Sequence, residues 1–275
     1  YQTMDSSAVK IAILAAKETG TCAFGDILNT DDLAIAGLLR EAGLFYTLFC
    51  EAFGYYDCTY KDQGVQFETG TKGNLSGAGH ALHTTGPDLL VSVKKESQKR
   101  HLPFSIHLAE HDQETGMLMG EKNEFFNLLD EKQMIPQGHQ FPMMSPVAYA
   151  DKLGLLDRQT LAVHCVHVSD AEIGILADTR SHVCLCPRSN DFIRVGRSPW
   201  EKLIDAGISL SLATDSLASN HDLNLFNELA YFLEHLKREL TLEDAIGLIT
   251  RNPAKALGLD DRIGTLESGK ASCYT

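Results

Sequence analysis

Two hydrophobic periods alternate along this chain. Segments with apolar residues at helical spacing are followed by short continuous apolar runs, from one end to the other. Residues 6–17 have helical spacing in Val9, Ile11, Ala12, Leu14 and Ala15; 21–27 then read as a strand, 31–42 as a helix and 44–50 as a strand. Residues 75–80 form a weaker strand with glycines nearby, and Pro87 opens a helix to Arg100 from the first-turn position that suits proline. Residues 102–107 are a short apolar strand. The stretch 110–157 shows no sustained period and is expected to be a long irregular excursion, a candidate active-site lid. Beyond it, Ser169-Asp170-Ala171-Glu172 is a capping box for a helix to Asp178. Strand 181–186, helix 200–206, strand 208–213, helix 223–236 and a final helix from Thr241 to Gly258 complete the pattern.

Strands near residues 22, 45, 77, 104, 162, 183 and 210, separated by helices, predict an α/β fold with a parallel sheet of barrel type. No Pro/Ser-rich linker, charge block or low-complexity tract divides residues 1–275, so a single barrel domain is expected. A closed barrel has eight strands, and the missing one would precede the first helix. At 275 residues and 44% hydrophobic content, the chain can fill such a core.

Charge narrows the partners. A formal net charge of −13, from 24 basic against 37 acidic residues, argues against a nucleic-acid backbone, which needs clustered Lys and Arg. The basic group Lys94-Lys95 with Lys99-Arg100 reads as a solvated helix face. The seven cysteines are odd in number and several lie in apolar runs, so they read as reduced core residues. Cys184-Leu185-Cys186 lacks zinc-finger spacing, and no thiolate metal site is expected there. No apolar stretch has membrane-spanning length, and residues 1–5 lack the features of a signal peptide; a soluble, cytoplasmic protein is expected.

The chemistry sits where strands stop. Residues 102–106 run into His107-Leu108-Ala109-Glu110, Leu161-Ala162-Val163 into His164-Cys165-Val166-His167, and residues 208–214 into Asp215-Ser216-Leu217-Ala218-Ser219-Asn220. The C-terminal ends of barrel strands hold active sites, and His, His and Asp are ligands that bind zinc or iron and leave room for water. Glu110 reads as a proton-transferring carboxyl beside a ligand histidine or as a loop carboxylate in a salt bridge. His164 acts in the chemistry or orients its loop, while His167 reads as structural. Arg188 and Asn190, in a Pro-Arg-Ser-Asn turn, either touch substrate or brace the loop. Ser216, Ser219 and Asn220 are expected to hold Asp215 in place.

With those residues placed, the chain resembles the amidohydrolase superfamily, in its cytosine deaminase, chlorohydrolase and S-adenosylhomocysteine deaminase branch. The resemblance rests on Ile106-His107-Leu108-Ala109-Glu110, Ser145-Pro146-Val147-Ala148-Tyr149 with Leu153-Gly154-Leu155-Leu156-Asp157, His164-Cys165-Val166-His167, Cys186-Pro187-Arg188-Ser189-Asn190, residues 214–220 and residues 262–270. It implies a (β/α)8 TIM-type barrel with one divalent metal, zinc or else iron, held by His107 and Asp215. Glu110 would be the proton shuttle, and His164 would contact the metal's water. His80, in Gly79-His80-Ala81-Leu82-His83, would contact substrate, together with Arg188 and Asn190.

The family's His-x-His pair after the first strand, that strand, and the family's small β-sandwich have no counterpart in the sequence. A fragment of a longer chain is therefore expected. No lysine ends the fourth strand of the family pattern, which favours one metal. The implied activity is metal-dependent hydrolytic deamination of an aminated purine or adenosine-like nucleoside, a small-molecule substrate, by a possible homo-oligomer. Alternatives are a guanine-type base deaminase, a triazine chlorohydrolase and a non-catalytic binding barrel.

Overall fold

The structure is a computed structural model, describing residues 5–28, 34–55 and 59–273. The expected start of a helix at Asp31 and the seventh cysteine, Cys58, lie outside these residues. The elements run α1 (Ser6–Glu18), β1 (Ala23–Leu28), α2 (Ala34–Glu41), β2 (Phe45–Ala52), β3 (Glu68–Thr69), β4 (Gly73–Ala81), α3 (Pro87–Lys99) and β5 (Phe104–Leu108). Next come α4 (Asp112–Leu118), α5 (Glu124–Glu131), α6 (Pro146–Lys152), β6 (Thr160–His164), α7 (Asp170–Thr179), β7 (His182–Leu185) and α8 (Pro187–Phe192). The chain closes with α9 (Trp200–Asp205), β8 (Leu210–Leu212), α10 (Leu225–His235), α11 (Leu242–Gly247) and α12 (Arg251–Ala256).

The parallel path is β1-β2-β4-β5-β6-β7-β8, with the two-residue β3 added antiparallel to β4. Each expected strand is present. Among the described residues β1 and β8 share no ladder, so the curled sheet of a (β/α)8-type fold is open there. Ala23, Phe24 and Gly25 of β1 face Leu212 and Ala213 across an apolar cleft, with Leu257 on its wall.

Strand parity creates two apolar layers. One face carries Tyr46, Leu48, Phe104, Ile106, Val183, Leu185, Leu210 and Leu212, packed with buried helix residues such as Leu90, Leu176 and Leu203. The other face carries Phe45, Phe49, Ala78, Leu161 and Cys184, closed from below by Leu257 and Leu259. Residues of this second parity point into the sheet's concavity, and their continuation past the strand ends reaches its mouth. The glycines of β4 have a packing cause: a Cβ on Gly79 would lie 2.0 Å from Leu90 Cδ2, so α3 sits directly on the strand.

Three expectations change. The excursion after Glu110 is not irregular but carries α4, α5 and α6, N-capped at His111, Asn123 and Ser145. Each has seven or eight residues, too few to display a helical period over a window of about 11–18. The single helix expected from Thr241 to Gly258 is two, α11 and α12. Pro253 has no N–H and its ring would clash with the carbonyl of residue 249, so one continuous helix cannot form.

The basic group on α3 is solvated at Lys95, Lys99 and Arg100, as expected, but not at Lys94. Lys94 is 1% exposed, its Nζ 2.6 Å from Asp157 Oδ1 and 2.7 Å from Thr160 Oγ1. This pair ties α3 to the turn before β6. The capping box at Ser169 and Glu172 forms as expected, and Cys22, Cys165, Cys184, Cys186 and Cys273 are free thiols. Among the described residues no helix is long and apolar enough to cross a membrane.

Candidate active site

The expected site residues lie at the C-terminal ends of β4 to β8. His80, His107 and His164 follow one another on β4, β5 and β6 as a row of rings: His80 and His107 have centroids 5.2 Å apart, and His107 and His164 stack at 5.6 Å. The backbone bends sharply at the same level. Ala109, His164, Cys165 and Asp215 all have positive φ, at 51°, 74°, 47° and 58°. Such conformations in residues with a Cβ cost about 1–3 kcal/mol each and persist where surrounding contacts impose them. Here the amides of Cys165, Val166 and His167 donate to the carbonyls of Leu108 and Ala109, locking the β6 turn onto the β5 turn.

Hydrogen bonds orient each ligand-type side chain. His107 Nδ1 is 2.9 Å from the His80 carbonyl, and His164 Nδ1 is 2.9 Å from Asn190 Oδ1. A carbonyl can only accept, so Nδ1 carries the hydrogen in both rings and Nε2 keeps its lone pair. Burial, with neighbouring imidazoles at His80 and His107, pushes all three histidines toward the neutral, ligand-competent form; His80 is brought down to about 3. His80 Nδ1 is 2.6 Å from Thr84 Oγ1.

Asp215 is gripped from two sides. Ser189 Oγ donates to Oδ2 at 2.7 Å, the Ser216 amide to Oδ1 at 2.7 Å, and Ser219 Oγ reaches Oδ2 at 3.3 Å. Burial opposes its charge, but these donors and His164 outweigh burial and hold the carboxyl below its usual value. Asn220 does not touch Asp215; its amide donates to the Thr214 carbonyl and to Glu228. Ser189, 26 residues away on α8, was not foreseen as an Asp215 partner.

Glu110 stands 3.5 Å from His164 Nε2, and burial raises its carboxyl, with Asp215 and Glu114 adding to the effect and His107 opposing it. Its amide is held by the buried Glu114, Oε2 at 3.2 Å. Arg188 is engaged elsewhere: its guanidinium grips Asp222 at 2.9 and 3.0 Å and lies 3.4 Å from Glu228. Asn190 is spent on His164. His167 Nε2 is 2.7 Å from the Val195 carbonyl, a loop brace.

Two side-chain groups at the mouth can hold a metal ion. Ligand atoms of Glu51, His80 and His107 lie within 4.8 Å of one another, as do those of His164, Cys186 and Asp215. Glu51 and Cys186 were absent from the sequence-level site. Each continues the inward parity of its strand, two residues past Phe49 and Cys184, and that register was the available signal. Burial alone lifts the Glu51 carboxyl to about 7.

Histidines and an aspartate gathered above the C-terminal edge of an open parallel sheet stand where α/β barrels keep their active sites. The amidohydrolase family model matches residues 6–273, and the chain belongs to that family. It is 31% identical over 275 residues to a 5-methylthioadenosine/S-adenosylhomocysteine deaminase of Moorella thermoacetica, covering 95% of this chain and 59% of that protein. The structure of Helicobacter pylori aminofutalosine deaminase in complex with methylthio-coformycin superposes with a TM-score of 0.81 at 25% identity, covering 97% of this chain and 66% of that one. A zinc-bound adenosine deaminase structure from Xanthomonas campestris gives 0.76 at 23% identity, with 96% and 59% covered. The chain thus spans about three fifths of the length of the curated relative it matches.

Proposed function

We propose that the protein is a metal-dependent hydrolytic deaminase of an adenosine-like nucleoside. The observation that carries this reading is the pairing of Glu110, its carboxyl raised by burial, with the neutral His164 3.5 Å away, beside ligand-type side chains at the sheet mouth. The donor set fits a divalent ion: His107 and His164 keep Nε2 free, and Asp215 is fixed by serine and backbone donors. His107 and Asp215 would hold the ion, zinc by the chemistry of these donors. When bound, such an ion supplies a Lewis acid that makes water a nucleophile near neutral pH.

The chain's residues do the rest. Asp215 accepts a proton from the attacking water. Glu110, its carboxyl raised by burial, donates to the ring nitrogen beside the attacked carbon, which makes that carbon a better electrophile. His164, kept in one tautomer by Asn190, presents Nε2 to the nucleophile. The amino group takes up a proton and leaves as ammonia, giving the ring carbonyl. His80, neutral and edge-on to Phe53 with centroids 5.2 Å apart, lines the place for the base.

Support for a nucleoside comes from the names of the relatives, methylthioadenosine and S-adenosylhomocysteine among their substrates. Arg188 and Asn190 position neighbouring groups instead of meeting substrate in this reading. A panel of aminated purines and their nucleosides, assayed for ammonia release by the full-length protein with zinc, tests it. Turnover of 5′-substituted adenosines is expected. Ammonia from free bases or cytosine alone would overturn the nucleoside assignment.

A further inference from the structure

Glu228, on α10, is 0% exposed and has no part in the reaction outlined above. A carboxylate this deep is costly unless donors surround it, so its partners indicate its use. Both oxygens are occupied. Oε1 accepts from Asn220 Nδ2 at 2.7 Å and lies 3.4 Å from an Arg188 guanidinium nitrogen, and Oε2 accepts from the Arg188 amide at 3.3 Å.

These partners belong to two separate turns. Arg188 stands in the first turn of α8, where Cys186 gives no side-chain cap and Pro187 has no N–H. The orphan amide of that turn is therefore satisfied by a side chain from another helix. Asn220 closes the loop after β8, and its amide also donates to the Thr214 carbonyl at 2.6 Å, joining the two ends of the loop. The groups that orient the site stand directly beside these contacts. Ser189 and Asn190, the next two residues after Arg188, bond to Asp215 at 2.7 Å and to His164 at 2.9 Å. Ser189 Oγ is also 2.8 Å from Ser219 Oγ, so the two turns touch. Arg188 adds a tie of its own to Asp222, which in turn accepts from the Asn224 amide and Asn227 Nδ2, each at 3.0 Å, at the start of α10.

We propose that Glu228 is a positioning residue: it clamps the first turn of α8 to the loop after β8, and so aims His164 at the nucleophile and Asp215 at a bound ion. The proposal rests on the functional reading above in taking Asp215 as a ligand. His164 and Asp215 have φ of 74° and 58°, conformations that persist only where neighbouring contacts impose them. Ser189 and Asn190 supply those contacts, and Glu228 holds the backbone that carries both. A glutamine at 228 keeps the shape but has one donating end. That end would face a donor of Arg188 or of Asn220, so one of the two ties opens.

Cobalt titration of the full-length protein, followed by the visible absorption of the bound ion, reads ligand placement without any deamination assay. Glu228→Gln should weaken cobalt binding about 10-fold or more and change the absorption of what binds. Asn220→Ala cuts the tie to the β8 loop, leaves α8 untouched, and should weaken binding in the same direction; it carries the test if Glu228→Gln does not fold. Lys94→Ala is the control for a general loss of stability, since it opens a buried charge pair before β6, at the opposite end of the strands, and should leave cobalt affinity unchanged. Unchanged affinity in either folded variant, or an equal loss in Lys94→Ala, overturns the proposal while the metal site stands. A wild-type protein that takes up no cobalt removes the functional reading and the clamp together.

Discussion

Glu110 and His107 sit three residues apart at the end of β5 yet have separable tasks, because the positive φ of Ala109 turns the chain between them. His107 faces inward with Nε2 free, while Glu110 reaches across to His164. Glu110→Gln keeps the shape but cannot carry a proton, so turnover should fall by roughly 10²–10⁴ with metal content nearly intact. His107→Ala should lose metal and activity together. Bound zinc and ammonia release, measured side by side, check the contrast; near wild-type turnover in Glu110→Gln would make that carboxyl a spectator.

Glu51 gives a pH prediction. Its folded pKa, about 7, is raised by burial above the ordinary 4.5, so between these values the native state holds more protons than the unfolded one. Its contribution is fully present below pH 4.5 and is lost as pH rises through 7. Glu51→Gln should therefore gain stability relative to the metal-free wild type on going from pH 4.5 to 8, by up to roughly 3 kcal/mol. Urea unfolding at the two pH values measures the difference; an equal offset at both would place Glu51 in water. Neither Glu51 nor Cys186 was legible as a site residue, since each looks like an ordinary polar or small residue in an apolar run. What the sequence does show is parity, and counting by two from Phe49 and Cys184 leads to both.

Among the elements, the strands were the most legible part, because continuous apolar runs between helices admit few other readings. The short helices α4 to α6 were hidden by their length, and the burial of Lys94 by a partner 63 residues away. That distance is also why the pair matters: it fastens α3 to the turn that launches β6. Lys94→Ala leaves Asp157 without its cation and should cost roughly 3 kcal/mol, read from the midpoint of denaturant unfolding. A loss within experimental error would mean that solvent already screens the pair.

The edges of the sheet make a second prediction at this scale. β4, β5 and β6 are each paired on both sides, whereas β1 and β8 are each paired on one side among the described residues. Amide exchange in this chain should be slowest in β4–β6 and faster by orders of magnitude for the unpaired amides of β1 and β8. Uniform protection across the sheet would show that something else covers those edges.

At the scale of the molecule, the order of the strands and the level at which they end concentrate the chemistry. Parallel strands all finish on one side, so residues as far apart in sequence as Glu51 and His107 come within 4.0 Å there without any local motif. The sequence reading reached the three strand endings for this reason, and missed Ser189 because that contact is made by tertiary folding alone. The claim most exposed to test is that this mouth deaminates a nucleoside with the help of a bound ion. Ammonia release from 5′-methylthioadenosine should be measured for the full-length protein loaded with zinc, stripped of metal, and stripped then reloaded. Release that disappears on stripping and returns on reloading is the predicted result; release that continues undiminished without metal, or none under any condition with any adenosine-like nucleoside, would contradict it.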